Sequence, residues 1–166
     1  MHIALFQPDI AANVAATIRL CACLDVPLLV IEPCGFVWNQ RRLRRVGLDY
    51  LRDASVERFA SWATFEAWRR ASGGRVVLLT ARAERPHHRV AYRADDVLLV
   101  GRESSGIPDP VQLADLCVRV PMAPGWRVLN VVTALAIVLG EALRQTDGFA
   151  PQPTRDDGQW PPQNAS

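Results

Sequence analysis

The chain has 166 residues, 49% of them hydrophobic, and a formal net charge of +2. That length suits one domain with a core that needs no disulfide or metal to hold it, and no apolar run is long enough to span a bilayer. All 19 basic residues are arginine, which excludes a Walker-type phosphate loop and Schiff-base chemistry and favours bidentate contacts to phosphate.

In chain order, His2 to Phe6 reads as a short apolar strand ended by Gln7-Pro8-Asp9. Asn13 is expected to cap a helix reaching Leu24, with Val14, Ile18 and Cys21 as its buried stripe. Arg19 lies off that stripe among small neighbours, open to a ligand or another subunit. Leu28 to Ile31 is a continuous apolar run, the pattern of a strand covered on both faces. Arg41, Arg42, Arg44 and Arg45 then cluster around Leu43, flanked by Trp38 and Tyr50. A strand follows at 56–59, an amphipathic helix at 64–71 ended by Gly73-Gly74, and a strand at 75–80. Residues 82–91 read as a polar, mobile loop carrying His87 and His88, more solvated than catalytic. A strand at 97–100 runs into Gly101-Arg-Glu-Ser-Ser-Gly-Ile-Pro; a short helix at 109–113 and a strand at 117–120 come next.

The stretch from 119 to 144 organises the rest. Pro121, Pro124 and Gly125 shape a loop, Asn130 stands at a helix N-cap, and Val131, Leu135, Val138, Leu139 and Ala142 recur at helical spacing. The opposite side of this helix carries Ala134, Ile137 and Gly140, so it needs cover all round, from its own chain or from a second copy. From about residue 150 the composition turns to Pro, Gln, Asp and Gly, a flexible tail over 150–166 outside the domain of 1–149.

Strands alternating with helices, the strands reading as fully buried, give an α/β fold with a mainly parallel sheet and helices on both faces. Ligands in such sheets sit beyond the carboxyl ends of the strands, here the loops after Thr80, Val100 and Val120. No dinucleotide fingerprint follows the first strand, and no Gly-x-Ser-x-Gly elbow surrounds Ser104 or Ser105. Glu32 and Glu103 both follow strands, where a carboxylate faces a site, caps a helix or pairs with arginine. Cys21, Cys23, Cys34 and Cys117 lack metal-ligand spacing and are expected as buried free thiols in a reducing cytoplasm; the N-terminus shows no signal-peptide pattern. The arginine cluster is the best phosphate-contact candidate, with Trp38 available to stack on an unpaired base; the bland alternative is a solvated helix face.

Four blocks in order resemble the SPOUT superfamily of RNA methyltransferases: Ala12-Asn-Val-Ala-Ala-Thr-Ile-Arg-Leu; Ile31-Glu-Pro-Cys-Gly-Phe with Arg42-Leu-Arg-Arg-Val-Gly-Leu-Asp-Tyr; Val100-Gly-Arg-Glu-Ser-Ser-Gly-Ile-Pro; and Val120-Pro-Met-Ala-Pro-Gly-Trp-Arg-Val-Leu-Asn-Val. Block order, spacing and length resemble most the short single-domain branch that 2′-O-methylates the wobble nucleotide, cytidine or modified uridine, of leucine tRNAs. The resemblance implies a deep C-terminal trefoil knot, a homodimer joined by its first and last helices, and S-adenosyl-L-methionine as methyl donor. It also implies the anticodon loop of tRNA as partner, and neither a metal nor a membrane. Carried over by position, Leu79, Gly101, Val120 and Val128 contact the donor, with Glu103, Met122, Leu129 and Asn130 lining the same pocket. Arg19 and Asn13 match catalytic positions, and Trp38, Arg41, Arg42, Arg44 and Arg45 fall to RNA binding. Arginine is a poor general base because its guanidinium keeps its proton, so the resemblance is read with Arg19 gripping a phosphate and orienting the ribose hydroxyl. Ala15, Ala16, Ser105, Val128 and Val132-Thr133 depart from the family's usual residues. The departures at Ala16, Ser105 and Val128 keep open a second reading, a knotted RNA-binding dimer with weak or lost catalysis; a third reading is a small-molecule nucleotide-binding α/β enzyme acting without RNA.

Overall fold

The computed structural model describes residues 1–39, 54–108 and 114–151. The arginines at 41, 42, 44 and 45, Tyr50, the helix expected at 109–113 and nearly all of the tail lie outside the described residues. The elements are β1 (His2–Phe6), α1 (Ala11–Leu24), β2 (Leu28–Ile31), β3 (Val56–Phe59), α2 (Trp62–Ser72), β4 (Val76–Leu79), a 3-10 turn (His87–Arg89), β5 (Val97–Val100), β6 (Leu116–Val118) and α3 (Val131–Thr146). The six strands form one sheet in the order β3-β2-β1-β5-β4-β6, every described pair parallel.

The continuous apolar strands work because both faces are covered. Side chains alternate across the pleat. Ile3, Leu5, Leu28, Val30, Val77, Leu98 and Val100 pack with Val14, Ile18, Leu135, Val138 and Leu139 from α1 and α3. Their neighbours Ala4, Phe6, Leu29, Ile31, Val76, Leu78, Val97 and Leu99 pack on the other face with Phe65 of α2. There Phe59, Phe65 and Trp68 lie 5.7–5.9 Å apart ring to ring.

Several boundaries differ from those read in the sequence, each for a local reason. Helix α1 begins at Ala11 after Ile10, so Asn13 is not its cap but sits inside the first turn, where its side chain is drawn to Glu103. Helix α2 begins two residues early because Ser61 and Thr64 form a reciprocal capping box. Cys23 is exposed, unlike the buried Cys21; all four thiols are free. Ile137 is 40% exposed, so α3 buries one apolar stripe and, among the described residues, leaves its opposite side only partly covered, with Ala134 and Gly140 half-buried.

The stretch 82–91 is not a loose loop. Ala83 and Val90 are buried, and Gln145 on α3 accepts from the Tyr92 N–H at 3.0 Å while donating to the Val90 carbonyl at 2.9 Å. Beyond Val118 the chain is gripped on two sides. The Val118 carbonyl accepts from the Thr80 N–H at 2.9 Å, on the β4 side. Successive strand residues direct their backbone groups to opposite edges, so Arg119 bonds the other way: its N–H to the Arg85 carbonyl at 2.9 Å, its carbonyl to the His87 N–H at 2.8 Å.

The packing of the core is testable at Leu139, fully buried between α3 and the sheet. Leu139→Ala should cost about 2–5 kcal/mol, measured as a lowered urea midpoint; a loss below ~1 kcal/mol would contradict the packing described.

Candidate active site

Strands β1 and β5 are neighbours whose onward connections lead to opposite sides of the sheet, β1 to β2 and β5 to β6. At such a switch point the loops at the strands' carboxyl ends separate and leave a crevice. Here those loops are wired together. The Glu103 carboxylate accepts from the Asp9 N–H at 2.7 Å and from the Asn13 amide nitrogen at 3.0 Å. The Asn13 amide oxygen accepts from the Asn130 side chain at 3.1 Å. Asn130 Oδ1 accepts from the N–H groups of Val132 and Thr133, capping α3. The sequence called Asn130 a cap correctly; it gave no sign that the same residue reaches α1.

A second set of contacts was missed altogether. Asp9 Oδ2 accepts from the Ser104 N–H at 3.2 Å and from its hydroxyl, and the Arg102 guanidinium lies 3.3 Å from Asp9 Oδ1. Arg102 also donates to the Gln7 carbonyl and side-chain oxygen, at 3.2 and 3.3 Å. The hydrogen bonds from Ser104, with the adjacent Arg102 charge, hold the Asp9 carboxyl below its ordinary value near 3.8. Gln7-Pro8-Asp9 read only as a strand stop because the partners of Asp9 and of the Gln7 oxygens lie more than ninety residues away.

The loop at 101–106 is held shut by paired backbone bonds between Arg102 and Gly106, at 2.8 and 3.2 Å. At Gly101 a Cβ would meet Ile107 at 2.7 Å and the Gly106 carbonyl carbon at 2.8 Å, so only glycine fits. Above this loop opens a cavity of about 760 Å³. Leu79, Gly101, Glu103, Val120, Met122, Val128, Leu129 and Asn130 all line it, together with Asn13. The structure thus gathers into one cavity all eight residues named for the donor. Its walls are apolar at Leu79, Val120, Met122 and Leu129, and polar at Glu103, Asn13 and Asn130, a mixture that suits a flat heterocycle with polar edges. Val128 is 71% exposed at the rim.

Arg19 does not line this cavity; it is exposed on α1. Trp38 lies apart from it, packed on Phe36 with Arg58 over its ring at 4.7 Å. Arg58 in turn is clamped by Glu32, which settles the choice left open for that carboxylate: it pairs with arginine, whereas Glu103 faces the cavity. His87 is half-buried with its Nδ1 lacking a partner among the described residues, and burial pushes its pKa down. Among the described residues no cluster of His, Cys, Asp or Glu is arranged to hold a metal, and no helix is long and apolar enough to cross a membrane.

Because folding depresses the Asp9 pKa, its contribution is present above the unfolded value and fades as pH falls through the folded one. Asp9→Asn should therefore unfold more easily than the parent at about pH 6, and the two thermal midpoints should converge as pH approaches ~3. A gap that stays constant across that range would detach Asp9 from the stability of the loop.

Comparison with known proteins agrees with this architecture. The model of the SpoU rRNA Methylase family matches residues 1–140. A tRNA (cytidine(34)-2'-O)-methyltransferase of Beijerinckia indica is 47% identical over 149 residues, covering 89% of this chain and 93% of that one. A structure described as giving insights into the 2-OH methylation of C/U34 on tRNA superposes with a TM-score of 0.81 at 36% identity, over 87% of this chain and 94% of that one. The SpoU methyltransferase AviRb of Streptomyces viridochromogenes, solved in complex with the cofactor AdoMet, superposes with a TM-score of 0.76 at 25% identity, over 87% of this chain and 57% of that one. A parallel six-stranded sheet, a crevice at its switch point and a family match that reaches into α3 lead to one assignment: the chain belongs to the SpoU rRNA methylase family.

Proposed function

We propose that this protein transfers the methyl group of S-adenosylmethionine to the ribose 2′-hydroxyl of the wobble nucleotide, position 34, of leucine tRNAs. The observation that carries the proposal is the cavity over the loop at 101–106, lined by all eight residues named for the donor and tied through Glu103 and Asn13 to α1, the helix that bears Arg19. The relative 47% identical to this chain is named as a tRNA (cytidine(34)-2'-O)-methyltransferase. When bound, the donor supplies an electrophilic methyl on a sulfonium.

The roles of the chain's own residues follow from chemistry. Leu79, Val120, Met122 and Leu129 give apolar contact and exclude water from the donor. Gly101 lets backbone groups approach closely. Asn13 and Asn130, locked to each other and to Glu103, fix the floor on which the donor is aligned for in-line attack. Arg19 grips a phosphate beside the target ribose and orients its 2′-hydroxyl, and the proton leaves to phosphate or water. Arg41, Arg42, Arg44 and Arg45, with Trp38 nearby, bind the anticodon arm.

The active unit is a homodimer with a trefoil-knotted C-terminal half. Support for pairing comes from the exposed small face of α1, at Ala12, Ala16 and Cys23, and from the exposed Ile137 on the packed neighbour α3. Support for the knot comes from Arg119, which has β4 on one side of its strand and residues 85–87 on the other, as expected of a chain passing through the loop that follows β4.

The test is mass spectrometry of nucleosides from leucine tRNA incubated with protein and donor. The 2′-O-methyl nucleoside at position 34 should form; its absence, with tRNA bound but no heat from the donor in calorimetry, would favour a knotted RNA-binding dimer with weak or lost catalysis. That second reading is motivated by Val128, whose side chain offers no hydroxyl to the cavity rim. Arg19→Ala should lower the rate at least about a hundredfold while the dimer still elutes as one folded species; full activity would refute its role. Arg42→Ala with Arg45→Ala should weaken tRNA binding and reduce the slope of log affinity against log salt by about 0.7–0.9 per lost contact. An unchanged slope would mark those arginines as a solvated face.

A further inference from the structure

Of the 19 arginines, Arg41, Arg42, Arg44, Arg45, Arg52 and Arg155 lie outside the described residues, which leaves thirteen. Six of these are clamped by carboxylates: Arg58 by Glu32, Arg69 and Arg70 by Glu66, Arg75 by Asp96, Arg102 by Asp9 and Arg144 by Glu141. Setting Arg19 aside, six remain: Arg82, Arg85, Arg89, Arg93, Arg119 and Arg127. All six are exposed, and none forms an ion pair with a described residue.

Their placement is not scattered. Arg93 precedes β5 at the amino end of the sheet; the other five lie on the cavity wall or on the segments that lead from it. Arg82 and Arg119 line the cavity itself. Arg119 is joined by backbone bonds to Arg85 and His87, and Arg89 closes the turn that His87 begins. Arg127 precedes Val128 on the rim. The stretch 82–93 holds four arginines and a single carboxylate, Glu84. The nearby Glu141 of α3 is already taken by Arg144 at 2.9 Å and Gln145 at 2.8 Å.

Protein surfaces ordinarily intersperse the two signs of charge, and this chain does so at six of its arginines. Five without an ion-pair partner among the described residues, two of them lining one cavity and three on the segments continuous with its wall, form a run of one sign that a polyanion would satisfy. We propose that this face, built from residues 82–89, 119 and 127, is a second phosphate track, which takes the sugar–phosphate backbone of the tRNA on either side of the nucleotide whose ribose enters the cavity. The inference rests on the tRNA reading above and deepens it. It concerns residues other than the cluster at 41–45. Guanidinium forks grip two phosphate oxygens at once, and contacts of this kind fix register without reading bases.

The test uses the full-length protein and leucine tRNA, with affinity measured by filter binding across a series of salt concentrations. Arg85 and Arg89 do not line the cavity, so Arg85→Ala with Arg89→Ala should leave donor affinity unchanged by calorimetry and the thermal midpoint unmoved. Its dissociation constant for tRNA should rise about tenfold, and the salt slope should fall by about 1.4–1.8 for two lost contacts. The loss should be equal for tRNAs differing only in the anticodon bases. Should the double variant misfold, Arg89→Gln alone carries the test, with a slope change of about 0.7–0.9. An unchanged slope, with or without a change in affinity, overturns the proposal, as does binding of the parent but not the variant to anionic lipid vesicles with tRNA affinity unaltered. If the parent methylates tRNA while the variant keeps its slope, this inference alone fails; if the parent binds no tRNA, the reading beneath it fails as well.

Discussion

The carboxylate of Glu103 is the joint on which the site depends. It leaves the end of β5 and accepts one bond from the turn after β1 and one from the first turn of α1. Through Asn13 it reaches the cap of α3, so the segments around residues 9–13, 103 and 130 are joined by one run of hydrogen bonds. The orientation of every amide in this chain is forced. Asn130 must present its oxygen to the α3 N–H groups, so its nitrogen faces Asn13; Asn13 must then offer that nitrogen its oxygen and give its own nitrogen to the carboxylate. An amide reversed at any link would set donor against donor or acceptor against acceptor. The network therefore has one arrangement, and the cavity above it inherits that rigidity.

Around this joint the protein spends its polar chemistry sparingly. Both sheet faces are apolar, and among the described residues only Thr17 and Asp96 are polar and buried. Asp96 is satisfied by two bonds from Arg75, at 2.7 and 2.8 Å, and one from the Arg93 N–H at 2.9 Å, at the end of the sheet away from the cavity. The carboxyl end of β5 is where the side-chain contacts converge, and there Gly101 and the closed loop remove bulk so that backbone can come to the cavity wall. Fold and site are thus separated along one axis: packing holds the middle, and directed bonds shape the rim.

Much of the fold could be read from residue order because its signals are local. Four-residue apolar runs fix β2, β4 and β5 as strands buried on both faces, and Asn130 before a long apolar stretch fixes the start of α3. The residues gathered by the cavity were legible through a family pattern and not through periodicity. What stayed hidden was non-local. Asn13 has the residue type of a cap and sits where one was wanted, but an amide that finds a carboxylate ninety residues away has no need to cap its own helix. Ser61 was overlooked beside the more obvious run at Thr64, although the two act together. Residues 82–91 look like solvent-loving chain because their ties run through backbone groups, which leave no mark on side-chain composition.

The bonds on the outer side of Arg119 bear also on how this sheet meets its surroundings. A parallel sheet with an open margin offers unpaired amides to any passing extended chain and invites stacking into larger aggregates. Here one margin, β3, is guarded by the exposed charges of Glu57 and Arg58, and at the other the segment around Pro86 lies against the exit of β6 like a hem. A chain whose outer strand is partly hemmed by its own backbone is protected there from adhesion to its neighbours, and opening that seam would expose a sticky border before it disturbed the interior.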